Sequence, residues 1–202
     1  MHMNFYNRFM NTKPFLLFSA LLIASLGFAA NEKYFYVFAP KGSGEIGHYA
    51  PSGWMGDTGD IRYEEVPDPK HPATKCVKIS YSAKQSKGAG WAGIYWQNPN
   101  NNWGSRQGGY DLSKYKTLTF KARGAKGGEI ISGFKMGGID GQYADSDSAS
   151  IGPVTLTADW KTYTIDLAGK NISHIIGGFC VTFAASDDAT GMQFFLNDIR
   201  YE

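Results

Sequence analysis

The chain has 202 residues, the size of one domain, with 20 Lys and Arg against 18 Asp and Glu. Arg8 and Lys13 fall in an N-terminal apolar stretch that has no acidic residue, so the other charges balance at 18 and 18. A neutral domain carries no electrostatic footprint for nucleic acid, for an anionic membrane surface or for strongly acidic polysaccharides.

That N-terminal stretch reads as a secretory signal peptide. Arg8 and Lys13 form its basic flank, and Phe15 to Phe28 is an almost unbroken apolar run. Gly27, Ala29 and Ala30 supply the small residues of a cleavage site, and cleavage after Ala29 places Gly27 where a small side chain is needed. The run is too short for a comfortable membrane span, and no second one follows. The expectation is a leader over 1–29, one domain over 30–202, and an exported protein with no membrane insertion of the mature chain.

The whole chain has 25 glycines and 15% aromatics, and beyond the leader they punctuate short apolar runs, the pattern of many strands joined by turns. Strands are predicted at about 33–38, 60–66, 75–82, 91–97, 116–123, 129–136, 153–158, 161–167, 175–184 and 192–201. Val77, Ile79 and Tyr81 alternate with Lys78 and Ser80, and Tyr163, Ile165 and Leu167 alternate with Thr162, Thr164 and Asp166. Such period-two patterning means antiparallel sheets with one face buried. Without a long amphipathic helix, that predicts an all-β, two-sheet antiparallel β-sandwich of the jelly-roll kind. Segments 39–53, 98–109 and 137–152, rich in Gly, Pro, Ser, Asn or Asp, read as loops.

Cys76 and Cys180 both sit at the off-core phase of their strands. In an exported protein they are candidates for a disulfide, provided their strands are neighbours on one sheet. A bridge closing so long a loop contributes on the order of 4–5 kcal/mol in the chain-entropy account. The alternative is two separate buried thiols.

The densest functional signal is GWAGIYWQNPNNNWGSRQGGYDL, residues 90–112. Sugar rings present apolar C–H faces and equatorial hydroxyls, so a site for them wants flat aromatics flanked by directional polar groups. Trp91, Tyr95 and Trp103 supply the first, and Gln97, Asn102 and Arg106 the second. By phase, Trp96 falls with Ile94 and is assigned to the core, while Trp91 and Tyr95 fall on the other face. Trp54 and Asp57, in the Gly-rich segment YAPSGWMGDTGD, extend the candidate set; a packed loop with Asp caps is the competing reading. Asp198 in the last strand could offer oxygens to calcium, against a polar residue at a strand bulge. No HExxH or GxSxG occurs, and no pair of carboxylates is singled out for glycoside hydrolysis, so an enzyme is not expected.

The ordered set GWAGIYWQNPNNNWG, GGYDLSKYKTLTFKARGAKGGE, TLTADWKTYTIDL, GGFCVTF and FFLNDIRYE resembles the secreted bacterial galactose-binding-like jelly rolls that serve as carbohydrate-binding modules of polysaccharide-degrading enzymes. The resemblance spans about 34–202. It implies a sugar-binding surface of exposed aromatics and a structural Ca2+ near the first and last strands. Asp198 matches the terminal carboxylate of that motif. After the first strand Ala39, Pro40 and Lys41 stand where an acid is expected, leaving Glu45 as the nearest substitute. The expected function is non-catalytic binding of a neutral, β-glucan-like polysaccharide. The alternatives are a protein-interaction or virulence factor on the same scaffold, with a protein partner in place of a glycan, and a jelly-roll hydrolase or lyase.

Overall fold

A computed structural model describes Met1 and residues 33–39, 43–68 and 71–202. The expected leader lies outside the described residues. Among the described residues thirteen strands follow in chain order: β1 Phe35–Phe38, β2 Ala50–Gly56, β3 Ile61–Pro67, β4 Lys75–Tyr81, β5 Trp91–Gln97, β6 Thr117–Gly124 and β7 Ile130–Ile131. The rest are β8 Gly133–Gly137, β9 Ser148–Ile151, β10 Val154–Thr155, β11 Lys161–Asp166, β12 Gly177–Ala184 and β13 Met192–Tyr201, with one 3-10 turn at Thr58–Asp60.

Two antiparallel sheets dominate. One runs β11-β6-β13-β4-β3, with β1 added against the C-terminal part of β13; the other runs β2-β5-β12-β8-β9. A small β10-β7 pair stands apart. This is the all-β sandwich that the alternation implies. The inner faces interlock through Ile79, Leu118, Phe120 and Phe194 from the first sheet and Ile94, Trp96, Phe134, Phe179 and Phe183 from the second, all fully buried. Phe120 packs on Phe134 with centroids 4.5 Å apart, and Trp96 meets Phe179 edge-on at 5.3 Å. Burial of each such side chain is worth about 1.5–3 kcal/mol. Trp96 is therefore core, as its phase with Ile94 indicates.

Two strands lie where the sequence reads as loop. β2 contains Pro51 and three of its seven residues are Pro or Gly, yet it pairs with β5 from Ala50↔Gln97 to Gly56↔Ala92. It is an edge strand, where a proline costs no ladder bond on the open side. β9, at the opposite edge, is made of small residues (SASI) and pairs with β8. The expected strand at 129–136 divides at Ser132: β7 pairs with β10, while β8 joins β12.

The disulfide expectation is corrected. Cys76 and Cys180 do lie off the core phase, but on different sheets: Cys76 on β4 and Cys180 on β12. Each faces outward from its own sheet, so the core layer separates them, and both are buried free thiols. Burial pushes the Cys76 thiol up to about 11 and the Cys180 thiol up to about 12.

Candidate functional site

The outer face of the five-stranded sheet carries an aromatic surface. Along β5, Ala92, Ile94 and Trp96 point into the core, so Trp91, Gly93 and Tyr95 point out. Trp91 retains 40% of its surface exposed. Between it and Tyr95 the chain has a glycine. A Cβ at Gly93 would lie 2.9 Å from Met55 Cε and 3.0 Å from Thr182 Cγ2, so these two side chains converge over the backbone as a low apolar floor. Tyr95 continues that floor in a small outer cluster with Ile139, Ile176 and Cys180, packed against Met55.

Two loops wall this face at the Tyr95 end. In the 98–109 loop, Trp103 stands edge-on to Tyr95 with centroids 5.9 Å apart and planes at 85°, 41% exposed, and its indole N–H donates to Asn101 Oδ1 at 3.1 Å. The 138–147 loop abuts it: Tyr143 N–H donates to the Gly104 carbonyl at 2.9 Å. Gly104 has φ +80, and a Cβ there would lie 1.8 Å from the Asp140 carbonyl oxygen, so only glycine permits the contact. Asp145 fixes the second loop by accepting from the backbone N–H groups of Ile139, Ile176 and Gly177. Burial raises the Asp145 carboxyl above its ordinary range, against the opposing pull of those three donors. The ring nitrogens of His174 lie 2.8 Å from the Ala144 carbonyl oxygen and 2.9 Å from that of Gly108, one on each loop.

The Lys135 ammonium lies 5.5 Å from the centre of the Tyr95 ring. Lys135 sits opposite both Cys180 and Ser150 in the sheet, on the same outward face. Neither Lys135 nor Met55 belongs to the sequence-derived set. Alternation with Phe134 and Met136 marks Lys135 as outward, but nothing in the sequence says that β8 lies two strands from β5.

The structure thus brings Trp91 and Trp103 onto one surface, whereas Tyr95 is corrected from an exposed contact to its buried floor: it is only 4% exposed, and its hydroxyl donates to the Gly137 carbonyl at 3.0 Å. The other expected residues are placed differently. Trp54, 40% exposed, pairs with Ile94 and packs edge-on against Tyr63 of β3 at 6.3 Å, so it covers the open side of the core instead of joining that surface. Asp57 is wholly buried. Its carboxylate accepts from Lys87 N–H at 2.7 Å, Ala89 N–H at 3.1 Å and Gly90 N–H at 2.7 Å. Desolvation pushes its pKa up, but the three donors together outweigh it and hold the carboxyl below its ordinary value. Asp57 therefore shapes the turn that delivers Trp91. Gln97 and Asn102 are also fully buried. Gln97 Nε2 donates to the Asn102 carbonyl at 2.9 Å, while the Asn102 side chain brackets the Arg106 backbone, donating to its carbonyl and accepting from its N–H. The Arg106 guanidinium donates to the Asn100 carbonyl at 2.6 Å and is exposed. Asp57, Gln97 and Asn102 are corrected from ligand contacts to loop builders, because their polar atoms are buried and spent on backbone groups and, for Gln97 Oε1, on the Ser52 hydroxyl.

The calcium expectation does not fit its residues. Asp198, at φ +52 within an irregularity of the β13–β6 ladder, is the bulge residue that was the competing reading. Its two oxygens are engaged by Arg200 at 2.5 Å and Lys121 at 3.2 Å. Glu45 is exposed, and among the described residues no group of three or more His, Cys, Asp or Glu gathers to hold a metal.

Comparison with solved structures finds the same sandwich. A family 30 carbohydrate-binding module of a cellulosomal cellulase of Clostridium thermocellum superposes with TM-score 0.55 at 16% identity, covering 84% of this chain and 96% of that one. A family 11 module from Clostridium thermocellum, in complex with a β-1,3-1,4-mixed-linked tetrasaccharide, gives TM-score 0.51 at 14% identity, covering 79% and 91%. No curated protein sequence matches the chain. In sequence, residues 51–202 match carbohydrate binding domain 30, and on that match, over more than half its length, the chain belongs to the carbohydrate binding domain 30 family.

Proposed function

We propose that this domain is a non-catalytic module of an exported protein that binds a neutral β-linked glucan along the outer face of the five-stranded sheet. The observation that carries the reading is the pair of half-exposed indoles, Trp91 and Trp103, at two ends of one surface. Trp91 and Tyr95 are four residues apart on β5, about 13 Å along the strand, and Trp103 stands beside Tyr95. Pyranose rings of an extended chain can stack on the two indoles while crossing the Met55–Gly93–Thr182 floor. Lys135 is placed to donate to hydroxyl oxygens at the Tyr95 end. The tetrasaccharide held by the family 11 module supports a β-glucan as the ligand class.

The test is binding to soluble mixed-linkage β-glucan, measured by affinity electrophoresis and calorimetry. Trp91→Ala and Trp103→Ala should each weaken binding at least about tenfold, the loss of one good stacking contact. Both should leave the melting temperature nearly unchanged, since each indole is half in solvent. Full retention of affinity in both variants would remove this surface from consideration. Release of reducing sugar from the same glucan would overturn the non-catalytic assignment.

A further inference from the structure

The other side of the sandwich holds a cavity of about 410 Å³ on the outward face of the six-stranded sheet. It is lined by Tyr36 of β1, Lys121 of β6, Asn197 and Asp198 of β13, Trp160 just before β11, and Asp68 and His71 from the β3–β4 connection. Its walls are built. Trp160, Arg123 and Phe195 form a row across three neighbouring strands, with the guanidinium 5.4 Å from the indole centre and 3.8 Å from the Phe195 centre. The Trp160 indole N–H donates to Asp68 Oδ1 at 3.4 Å, and Asp68, only 3% exposed, has its other oxygen 3.6 Å from His71 Nδ1. Asn197 is likewise buried.

A cavity of this size that combines aromatic rings with a few converging polar side chains is built for a small organic ligand. Donors and acceptors alternate along it: His71 stands beside Asp68, and the Lys121 ammonium lies 3.2 Å from Asp198. Donors and acceptors set side by side in this way suit the hydroxyls of a neutral polyol. We infer that this cavity is a second carbohydrate subsite, taking one or two pyranose units of a neutral glycan, with Trp160 and Tyr36 as apolar contacts and Asn197, Lys121 and His71 as hydroxyl partners. The ligand class rests on the carbohydrate-binding reading above, but the residues are a separate set on the opposite face. Two subsites on opposite faces would let one domain hold two glycan chains at once.

The experiment is an NMR titration of the full chain with the β-1,3-1,4-mixed-linked tetrasaccharide, following the tryptophan indole N–H resonances. The Trp160 resonance should move in the unmodified chain and keep moving, with the same midpoint, in a Trp91→Ala/Trp103→Ala double variant. Trp160→Ala also removes the stacking partner of Arg123, so the cavity itself is tested with His71→Ala and Lys121→Ala at its rim. Each should raise the Trp160 midpoint at least threefold and leave the Trp103 midpoint where it was. A Trp160 resonance that stays still while Trp103 moves, or that moves only when Trp91 and Trp103 are intact, overturns the second subsite and spares the first. Movement of Trp160 while the Trp91 and Trp103 resonances stay still would instead overturn the first surface and spare the second subsite.

Discussion

Asp57 shows how a residue can serve a binding face without reaching it. Three backbone donors from Lys87, Ala89 and Gly90 converge on its carboxylate, and its own backbone N–H donates to the Trp91 carbonyl at 2.8 Å. Asp57→Ala leaves buried donors without an acceptor. We expect a melting temperature lower by roughly 3–6 °C and a several-fold weaker glucan affinity, read by calorimetry on the same sample, because the turn preceding Trp91 loosens. An unchanged affinity with a lowered melting point would mean that Trp91 is held by its strand alone. At this scale the sequence identified residue types well and roles poorly. Asp, Gln and Asn in a loop bond sugar hydroxyls and backbone amides with the same atoms, so only burial assigns Asp57, Gln97 and Asn102 to the building of the loops. The exposure of Trp91 and Trp103 was legible because strand alternation and a polar loop leave an indole few other places, whereas Tyr95, outward by the same alternation, is covered by neighbouring loops.

At the scale of elements, the edge strand β2 connects fold to site. Ser52 donates to Gln97 Oε1 at 3.0 Å and accepts from Asn101 N–H at 2.8 Å, so β2 and the end of β5 jointly anchor the loop that carries Trp103. Gly53 makes this possible: a Cβ there would lie 2.7 Å from the Gln97 Cδ. Gly53→Ala should therefore displace the Gln97 amide, cost roughly 1–3 kcal/mol by overpacking, and weaken glucan binding although residue 53 touches no sugar. Urea unfolding and affinity electrophoresis together check this; a variant as stable and as tight as the parent would show that Gln97 moves freely. β2 escaped the sequence reading because glycine and proline signal turns on average. Here they serve close approach and an open edge, which depend on the neighbouring strand.

For the whole molecule, the two-sheet layering decides the chemistry of the cysteines and the response to acid. With the core between them, Cys76 and Cys180 should both resist thiol reagents in the native state and both react in denaturant, and a reductant should leave the melting temperature unchanged. Native reactivity, or a reductant-sensitive melting point, would contradict their placement. Acid acts through the carboxylates. Ser113 hydroxyl and backbone donors hold Asp111 below its ordinary value, and backbone donors from Ser148 and Asn171 do the same for Asp147, as Asp57 is held in its turn. A depressed folded-state pKa stabilises the fold above the unfolded value near 3.9 and loses that contribution as pH falls through the folded value. Asp145, raised by burial, works in the opposite sense, its share being lost as pH rises. Three against one, melting temperature should be level near neutrality and fall below about pH 4, measurable by a melting series from pH 7 to 2; a flat series would contradict the depressed set. By itself the sequence determined the all-β class, the inward and outward phase of the strands and the exposure of Trp91 and Trp103, since alternation is a local property of the extended chain. Which strands are neighbours was decided only by the tertiary structure. That separated the cysteines, paired Asp198 with Lys121, turned Trp54 toward Tyr63 and set Lys135 beside Tyr95, because side chains distant in sequence meet only through strand pairing and the packing of the two sheets.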